Sequence, residues 1–454
     1  MNYQDEYRRR LISAEEAARL VKSGMSIDYG SVGGFPLLID EKLAEQASAL
    51  EKVIIRAYSA PREPQVLKID TKQEHFIYNS GYLSKVERKY HEMGCCSYIP
   101  SKLGEMPRMY REVLKDEVDI AFVEVTPMDE YGYFNFGAAI SYQKAMCDVA
   151  KIVVVEVNES QPWVYGGYDE AIHIRDVDYI VENDKYKIDE FTTPPPTEID
   201  NRIAEHIAGL IEDESTIELG IGVIPNLVGN LLIKYGLKDL GIHTGTLTDS
   251  MIDLIEAGVV TGRKKNINLG KVVHCMGLGS RRLYEYMNRN SRLAGFPSDY
   301  TNSVHVIAQN KKQIAINSAL KIDLTGQLCS ESTGYQQISG TGGQLDHTRG
   351  AYMSPGGKAI ICLPSTRRDK ESKIVSNISP TLELGDTVTV PVTEVCYIVT
   401  EFGVVNLKGK STWQRAKLLI SIAHPDFRAE LEDAAQRMNL ITRGTAKLGW
   451  AYHS

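Results

Sequence analysis

The sequence predicts an α/β protein made of two open α/β domains, and three observations support this prediction. A chain of 454 residues is too long for one ordinary hydrophobic core. Short β-branched apolar runs alternate with amphipathic helical segments, which is typical of parallel sheets covered by helices. Three consecutive prolines in "EFTTPPPTEID", residues 190–200, exclude a helix and a central strand, so they mark a boundary between domains 1–190 and 191–454.

The first domain begins with a predicted helix and continues into predicted strands. Ser13 and Glu16 have the spacing of a capping box that opens the helix "AEEAARLVKSG", and Gly24 is expected to end it. The strands are "MSIDYG", "KVIIRAY", "VDIAFVEVT" and "AKIVVVEVN". These runs are short and rich in Val and Ile, so we expect them to be buried in one parallel sheet.

The second domain opens with "TEIDNRIAEHIAGLIED", in which apolar residues recur at helical spacing. These residues are Ile199, Ile203, Ile207, Leu210 and Ile211. The strand "STIELGIG" follows, and a helix opens at Pro225 and Asn226. A glycine turn before a helix N-terminus can point backbone N–H groups at a phosphate or carbonyl oxygen. The same turn forms wherever a strand bends tightly into a helix, so "GIGVIP" alone leaves both interpretations open.

Composition narrows the class of function. The hydrophobic content of 43% and the charged content of 24% are those of a globular protein, and no apolar run approaches the roughly 18 to 20 residues that span a bilayer. The segment "MNYQDEYRRRLISAEEAARL" contains no apolar stretch of signal-peptide type, which predicts a cytoplasmic location. The net charge of −8 provides no basic surface for nucleic acid.

The cysteine pattern favours core packing over chemistry. The seven cysteines are Cys95, Cys96, Cys147, Cys275, Cys329, Cys362 and Cys396. They are odd in number and lack CxxC spacing, so neither a disulfide framework nor a zinc site is indicated. No set of His, Cys and carboxylate residues has ligand spacing, and we therefore predict no metal.

Five glycine-rich runs suggest a long, polar ligand. They are "GSVGGFP" at 30–36, "GIGVIP" at 220–225, "GLGSRR" at 277–282, "SGTGGQLD" at 339–346 and "SPGGK" at 354–358. A ligand held by several backbone loops would carry phosphate, amide and thioester groups, which fits coenzyme A better than a small metabolite. The sequence has no GxxxxGK[ST] motif and no GxGxxG motif that opens a first βαβ unit.

Several long motifs occur in the order and spacing of a known family. They are "VEVTPMDEYGYFNFG", "LGIGVIPNLV", "DLGIHT" with "LTDSMIDLIEAGVV", "SGTGGQLDHTRGA" and "IAHPDFRAEL". On these motifs the chain resembles the acetyl-CoA hydrolase/transferase family, in the branch of 4-hydroxybutyrate and butyryl-CoA:acetate CoA-transferases. The resemblance extends from the first helix to about residue 431.

This resemblance implies two α/β domains with acyl-CoA in the cleft between them, a carboxylate as second substrate, and a homo-oligomer that is often a dimer. It also implies which residues contact coenzyme A, with those near residues 340–344 donating backbone hydrogen bonds close to the thioester carbonyl. The residues so assigned are Gly220, Ile221, Gly222, Val223, Ile224, Leu320, Gly340, Gly342, Gly343, Gln344 and Lys370. The spacing around Lys370 is longer than in relatives, so Arg367 and Arg368 are alternatives to it.

The segment "LGIHTGTLTDS", residues 240–250, departs from the family at its most important position. Relatives have "GIHSEM" or "GIHTEM" where this chain has "GIHTGT", so Gly245 occupies the position of the catalytic glutamate. In the family that carboxylate attacks the acyl-CoA thioester, forms a mixed anhydride and becomes a glutamyl-CoA thioester. Glycine has no side-chain atom that can act as a nucleophile, and loss of a covalent nucleophile costs several orders of magnitude in rate.

Other polar residues in the motifs have both a catalytic and a structural interpretation. His243, Asp249 and Glu331 are the candidates for catalysis, although relatives that retain the glutamate have them too. Glu401 also matches a family position and is expected to be structural. Asp129 in "PMDEYG" either faces the cleft or caps its own loop. Aromatic residues that would shape an acyl pocket or pack in the core are Phe35, Tyr131, Tyr133 and Phe134.

Three functions remain open at the level of sequence. In the first, water enters the space left by the glutamate, and the enzyme hydrolyses a thioester or a carbon–carbon bond of a CoA-bound keto acid. In the second, the chain is a CoA-transferase whose carboxylate comes from elsewhere in the cleft. In the third, it binds acyl-CoA without turnover. Gly245 could also be an isolated substitution in this chain, and the acyl group is not identified.

Overall fold

The computed structural model describes residues 3–446. Residues 1–2 and 447–454, which fall in the two predicted domains, lie outside the described residues. Residues 183–196 contain neither helix nor strand and separate two sheets. The domain boundary near residue 190 stays a prediction.

The first half of the chain builds a parallel sheet with helices on its faces. Its strands are β1 Ser26–Ser31, β2 Val53–Tyr58, β3 Phe76–Ser80, β4 Cys96–Tyr98, β5 Ile120–Val125, β6 Tyr133–Asn135, β7 Ile152–Val157, β8 Ala171–His173 and β9 Tyr179–Glu182. Its helices are α1 Tyr3–Arg10, α2 Ala14–Leu20, α3 Leu37–Glu45, α4 Gln65–Ile69, α5 Lys85–Glu92, α6 Met106–Arg108 and α7 Gln143–Val149. Within the described residues the sheet order is β4-β3-β2-β1-β5-β7-β9, and every neighbouring pair is parallel. All of β5 is buried, which explains its continuous apolar run.

The first strands of the second half are β10 Thr216–Leu219, β11 Gly241–Ile242, β12 Thr246–Leu247, β13 Val272–His274, β14 Met276–Gly277, β15 Leu293–Gly295, β16 Gln313–Ser318 and β17 Lys321–Asp323. The later strands are β18 Leu328–Cys329, β19 Ser332–Thr333, β20 Gln336–Gln337, β21 Lys358–Cys362, β22 Thr366–Arg368, β23 Ile374–Ser376, β24 Ile378–Ser379, β25 Tyr397–Thr400 and β26 Gly403–Asn406. The main sheet of this half, counted over the described residues, has the order β11-β10-β16-β21-β25-β26. Its pairs are parallel except for β25 with β26.

The helices of the second half surround this sheet and the smaller two- and three-stranded ones. They are α8 Glu198–Ala208, α9 Val223–Lys234, α10 Asp249–Glu256, α11 Arg281–Met287, α12 Ser298–Thr301, α13 Val304–Ile307, α14 Gln344–Met353, α15 Thr412–Ser421, α16 Pro425–Arg437 and α17 Arg443–Ala446. One buried apolar cluster includes Val123 and Tyr142 from the first half together with Met276 and Leu283 from the second. The two halves therefore share a continuous core.

The predicted fold class is confirmed, because both main sheets are mostly parallel and covered by helices. The four strands predicted for the first domain are confirmed as β1, β2, β5 and β7. The capping box is also confirmed, with the Glu16 amide donating to Ser13 Oγ at 3.1 Å and the Ser13 amide donating to Glu16 Oε2 at 2.8 Å. All seven cysteines are buried, as core residues should be.

Two helix boundaries differ from the prediction. Helix α2 ends at Leu20 rather than at Gly24, because Gly24 has φ +80° and turns the chain toward β1 while its amide donates to the Glu51 carbonyl. Helix α8 ends at Ala208, so the apolar residues at 210 and 211 pack beyond its end. Ile199 is 38% exposed and does not belong to the buried face. Among residues 3–446, no helix combines the length and the apolar composition that crossing a membrane requires.

A buried ion pair joins two strands at the centre of the first sheet. Arg56 on β2 donates to both carboxylate oxygens of Asp28 on β1, at 2.8 and 2.9 Å, and the Tyr110 hydroxyl donates to the same carboxylate at 2.7 Å. Burial nevertheless raises the pKa of Asp28. The ion pair therefore holds a charge that this position could not otherwise accommodate.

Replacing Arg56 with methionine should destabilise the protein by about 3 to 5 kcal/mol, because it leaves the Asp28 carboxylate buried without its cation. Urea unfolding measures the effect. The matched control is Arg8→Ala, whose ion pair with Asp5 is 76% and 59% exposed and should contribute less than about 1 kcal/mol. Equal effects of the two substitutions would contradict the assignment.

Candidate active site

A cleft of about 270 Å³ lies where the two halves of the chain meet. The first half lines it with Val32, Tyr58, Ser59, Tyr82 and Leu103. The second half lines it with Glu218, Leu219, Gly220, Ile221, Gly245, Thr246, Met276, Leu278, Asn302, Asn317, Ser318, Ser330, Ser339, Gly340, Thr341, Gly342, Gly343, Gln344 and His347. Four of the five glycine-rich runs thus contribute to one site, whereas "SPGGK" does not.

The loop of residues 340–343 forms a wall of this cleft and packs directly on the first half. A Cβ atom on Gly340 would lie 2.6 Å from the Gly81 carbonyl oxygen, so only glycine allows this approach. The Leu103 amide donates to the Gly342 carbonyl at 2.9 Å. Helix α14 begins directly after the loop, and the first N–H groups of a helix have no acceptor within it. This wall can therefore donate hydrogen bonds to a carbonyl oxygen or an anion.

The opposite wall is the carboxyl end of β10 and the turn into α9. The Gly220 amide donates to the Ile316 carbonyl at 2.9 Å, which continues the β10–β16 ladder one residue past the strand. Gly222 then has φ +137°, a conformation that favours glycine, and the chain enters the helix. Ile221 lines the cleft and is 57% exposed, so it lies at the mouth.

Gly245 lines the cleft between strands β11 and β12, and hydrogen bonds hold its backbone in place. Its carbonyl oxygen accepts from the Cys275 amide at 3.2 Å and the Met276 amide at 3.0 Å. A Cβ built on Gly245 would lie 3.5 Å from Asn302 Oδ1 and 3.5 Å from His347 Nε2, with nothing nearer beyond its chain neighbours. These are ordinary contacts, so a side chain would fit. The space in front of Gly245 is bordered by polar atoms.

Four polar atoms of residues that line the cleft lack hydrogen-bond partners within the described part of the chain. They are Asn302 Nδ2, both ring nitrogens of His347 and the Tyr58 hydroxyl. The three residues are 1%, 1% and 3% exposed. A buried polar atom without a partner costs about 1 to 3 kcal/mol, and such groups usually serve a ligand, a water molecule or catalysis. Burial lowers the pKa of His347 to about 4, so its imidazole is neutral at physiological pH.

Glu218 supplies the carboxyl group of the cleft, and no other Asp or Glu of residues 3–446 lines it. Its Oε2 accepts from the Ile316 amide at 3.2 Å and from Asn317 Nδ2 at 2.9 Å. Burial nevertheless raises the pKa of Glu218 to about 8. The carboxyl is therefore mostly protonated at neutral pH.

This raised pKa predicts a pH-dependent stability difference for Glu218→Gln. Between the unfolded pKa of about 4.3 and the folded value of about 8, the folded state keeps a proton that the unfolded state has released. The free energy of unfolding of the parent therefore falls as pH rises through this window. Glutamine retains an oxygen acceptor and cannot ionise, so the variant should gain roughly 2 to 5 kcal/mol relative to the parent by pH 8.

Urea unfolding of both proteins at pH 5, 6.5 and 8 measures this difference. The control is Glu285→Gln, whose side chain is 67% exposed and which should change stability by less than about 0.5 kcal/mol at each pH. A difference between Glu218→Gln and the parent that stays constant with pH would contradict the raised pKa.

Two of the predicted catalytic residues lie outside the cleft lining. His243 is fully buried, and its Nε2 lies 2.9 Å from the Thr301 carbonyl oxygen. Asp249 accepts from the Ser280 amide at 2.8 Å and from its hydroxyl at 2.6 Å. Both side chains organise neighbouring backbone, and their catalytic assignment stays a prediction.

Glu331, the third predicted catalytic residue, also lies outside the cleft lining. It is directly behind the loop of residues 340–343. Its carboxylate accepts from the Tyr98 hydroxyl at 3.0 Å, Thr341 Oγ1 at 3.1 Å and Thr389 Oγ1 at 3.0 Å. Its carbonyl oxygen accepts from the amides of residues 338 and 339. Glu331 thus holds the loop from outside the cleft lining, and its catalytic assignment stays a prediction.

The residues predicted to contact coenzyme A divide into two groups. Those that line the cleft are Gly220, Ile221, Gly340, Gly342, Gly343 and Gln344, together with Gly245 at the predicted catalytic position. Those that do not line it are Gly222, Val223, Ile224, Leu320 and Lys370. Lys370 is exposed in the turn between β22 and β23, and the amide of Leu320 donates to the Cys329 carbonyl. Contact of both groups with coenzyme A stays a prediction.

Asp129 and Glu401 have structural roles. Asp129 Oδ1 accepts from the amides of Tyr131 and Tyr133 at 2.9 and 2.8 Å, so it caps its own turn. Glu401 accepts from the Ser365 amide and hydroxyl at 2.9 and 2.6 Å. Neither lines the cleft.

The aromatic residues of the cleft are not those suggested by the sequence. Phe35 and Phe134 are buried in the core, while Tyr131 and Tyr133 are exposed. Instead, Tyr58 and Tyr82 line the cleft, with ring centroids 5.8 Å apart. They provide an aromatic surface for a small apolar group.

Asn302 and His347 are absent from the sequence-based assignments, because Asn302 lies in none of the motifs and the motif "SGTGGQLDHTRGA" gives no role to His347. His347 lies in the first turns of α14 and Asn302 directly follows α12, far apart along the chain. Glu218 could have been predicted from the sequence. It lies near the carboxyl end of a parallel strand, where ligands of open α/β sheets bind. Within residues 3–446, no group of three or more His, Cys, Asp and Glu side chains is arranged to hold a metal ion.

Comparison with known proteins agrees with this geometry. The sequence model of the acetyl-CoA hydrolase/transferase N-terminal domain matches residues 1–189, and that of the acetyl-CoA hydrolase/transferase C-terminal domain matches residues 279–435. A butyryl-CoA:acetate CoA-transferase from Anaerostipes caccae is 41% identical over 98% of this chain and 99% of its own length. These matches confirm the resemblance read from the motifs.

Solved structures agree over nearly the whole chain. RipA from Yersinia pestis superimposes with a TM-score of 0.88 and 35% identity, covering 97% of this chain and 100% of that one. A 4-hydroxybutyrate CoA-transferase from Porphyromonas gingivalis superimposes with a TM-score of 0.77 and 33% identity, covering 96% and 100%. Both halves of the sequence, the fold and the cleft between the halves lead to one conclusion: the chain belongs to the acetyl-CoA hydrolase/transferase family of enzymes.

Proposed function

We propose that this enzyme hydrolyses short-chain acyl-CoA, with water acting at the position where the family glutamate would act. One observation carries the proposal. The space in front of Gly245 lies in the cleft and is bordered by unpartnered polar groups of Asn302 and His347. A nucleophilic side chain is therefore replaced by a polar space suited to water.

The rest of the cleft suits the thioester end of an acyl-CoA. The cleft of about 270 Å³ is lined by backbone at residues 340–343 and by Tyr58 and Tyr82. The acyl group would lie against these rings, and the remainder of coenzyme A would leave past exposed Ile221. The short-chain assignment follows the butyryl and 4-hydroxybutyryl groups named for the relatives.

In this reaction the water oxygen forms a bond to the thioester carbonyl carbon, and the carbon–sulfur bond breaks. The products are a carboxylic acid and the thiol of coenzyme A, with one water consumed. N–H groups around Gly343 and the first turn of α14 would stabilise the negative oxygen of the tetrahedral intermediate. Donors of this kind contribute about 10² to 10³ in rate.

A second candidate is CoA transfer that uses Glu218, because this is the carboxyl group lining the cleft in the described chain. Its raised pKa of about 8 weakens it as a nucleophile at neutral pH, which is why we place hydrolysis first. Transfer through Glu218 would be lost in Glu218→Gln and would increase in rate toward pH 8.

The test is product analysis with a panel of acetyl-, butyryl- and 4-hydroxybutyryl-CoA, with and without acetate, in water enriched in oxygen-18. Hydrolysis predicts free CoA and one heavy oxygen in the released acid, independent of acetate. New acetyl-CoA that forms only with acetate would establish transfer instead. Binding of acyl-CoA with neither product would leave a non-catalytic acyl-CoA-binding protein.

We also propose that the enzyme works in the cytoplasm as a homodimer, with no nucleic acid or membrane partner. The net charge of −8 disfavours a nucleic acid partner. The dimer rests on the family resemblance. Light scattering during size-exclusion chromatography would give twice the chain mass of 50.6 kDa for a dimer.

A further inference from the structure

Two buried side chains converge on the space in front of Gly245 from different elements. His347 belongs to α14, and Asn302 directly follows α12. Asn302 Oδ1 and His347 Nε2 both lie 3.5 Å from the position of a Cβ on Gly245, and Asn302 Nδ2 lies 3.7 Å from it. These are the three nearest atoms to that position beyond the chain neighbours.

Asn302 and His347 also contact the loop of residues 340–343, which forms the wall of the cleft that can donate backbone hydrogen bonds. A Cβ on Gly343 would lie 2.3 Å from Asn302 Nδ2 and 3.3 Å from His347 Cδ2, so the backbone of Gly343 packs directly against both. The His347 amide donates to the Gly343 carbonyl at 2.9 Å. A thioester carbonyl held at this loop would therefore lie next to the space in front of Gly245.

We infer that His347 is the catalytic base of the hydrolase, and that His347 and Asn302 together hold the attacking water in front of Gly245. This inference rests on the proposed function. It assigns chemistry to two residues that the family motif for the glutamate does not include.

Hydrolysis of the thioester then proceeds in two steps. The water oxygen bonds to the thioester carbonyl carbon while its proton moves to His347 Nε2. The tetrahedral intermediate then collapses, the carbon–sulfur bond breaks, and the imidazolium returns the proton to the departing thiolate. The acid and the thiol of coenzyme A leave, and His347 is again neutral. Asn302 would donate from Nδ2 or accept at Oδ1 to orient the water lone pair.

Two observations support these roles. Both ring nitrogens of His347 and Nδ2 of Asn302 are buried and have no hydrogen-bond partner within residues 3–446, so a water molecule held between the two side chains would satisfy groups that are otherwise unpaired. Burial lowers the pKa of His347 to about 4, so the ring is neutral at pH 7 and an unprotonated ring nitrogen can accept a hydrogen bond from water. Thr348, the next residue in α14, does not line the cleft.

The experiment compares the purified full-length enzyme with His347→Ala and His347→Gln, using butyryl-CoA as the substrate. Both variants should lose at least about 100-fold in kcat, with KM within about threefold, because a general base contributes roughly 10² to 10⁴. Added imidazole should restore at least about tenfold in His347→Ala, since the deleted ring leaves room for it. Loss without rescue in a folded His347→Ala would overturn the assignment as a base.

The matched control is His274→Ala. His274 is also a fully buried histidine whose pKa is lowered to about 4, but it does not line the cleft. It should retain kcat within about threefold and show no response to imidazole. A loss and rescue equal to that of His347→Ala would indicate a general effect of buried histidines and overturn the proposal.

Gly245→Ala provides a test that does not disturb His347. Its methyl group would occupy the space 3.5 Å from His347 Nε2 and make only ordinary contacts, so folding should be retained. Water would be displaced, and kcat should fall by at least about 100-fold while butyryl-CoA still binds. Full activity of this variant would overturn the water site even if the His347 variants failed to fold.

The failure of this inference differs from the failure of the proposed function. If the parent enzyme hydrolyses butyryl-CoA and His347→Gln retains its kcat, only the inference is wrong. If the parent hydrolyses no acyl-CoA of the panel, the proposed function is wrong and the inference fails with it.

Discussion

Replacing Gly245 with glutamate should convert acetate-independent hydrolysis into acetate-dependent CoA transfer. The new Cβ meets only ordinary contacts at 3.5 Å or more, and the φ angle of Gly245 lies outside the left-handed region, so the backbone accepts a side chain. The carboxylate would fill the space that we assign to water, next to Asn302 and His347. We expect hydrolysis to fall by at least about 100-fold and exchange of butyryl-CoA with acetate to rise by roughly 10³-fold.

Mass spectrometry of the reaction with deuterated acetate measures the exchange. A covalent glutamyl-CoA thioester would add the mass of coenzyme A to the peptide that contains residue 245. The matched control is Gly245→Gln, which has nearly the same volume and no nucleophilic carboxylate. It should lose hydrolysis without gaining exchange. Identical behaviour of the Glu and Gln variants would show that the pocket no longer supports family chemistry.

Replacing Gly340 with alanine should nearly abolish turnover of butyryl-CoA. The added Cβ would lie 2.6 Å from the Gly81 carbonyl oxygen and 3.1 Å from Tyr82 Cα, which are backbone atoms that cannot rotate away. The loop must move to relieve this contact, and the backbone N–H donors near Gly343 would be displaced together with it. A displacement of about 1 Å in an active site costs about 100-fold, so we expect at least that loss in kcat/KM.

The control is Gly209→Ala at the end of α8, where the nearest atom to the added Cβ is 3.6 Å away. This variant should keep kcat/KM within about twofold and its midpoint of thermal unfolding within a few degrees. Gly340→Ala should also lose about 1 to 3 kcal/mol of stability through overpacking. Unchanged turnover in Gly340→Ala would mean that the loop does not position the donors.

Much of the fold was predictable because its signals are local. The capping box of Ser13 and Glu16 spans four residues, and the runs at β1, β2, β5 and β7 each span about six. Errors came where tertiary contacts overrode the local pattern. Ile199 fits the helical period of α8 but faces solvent, and Gly24 ends a turn rather than the helix.

The candidate site was predictable only in part, for the same reason. Gly245 and the loop 340–343 were identified from motifs, and both line the cleft. His243 and Asp249 belong to these motifs and Glu331 also matches a family position, but none of the three lines the cleft. A motif shows that residues occur together in the sequence, whereas the direction of each side chain depends on the packing around it.

The sequence by itself determined the α/β class, the parallel strands, the membership in a CoA-processing family and the glycine at residue 245. Only the tertiary structure decided what surrounds that position. Tyr58, Asn302 and His347 come from separate elements, and the pairing of strands and packing of helices bring their unpartnered polar atoms to one cleft. Propensity and hydrophobic period act within one element, whereas a catalytic arrangement depends on distances between elements that only the packed core sets.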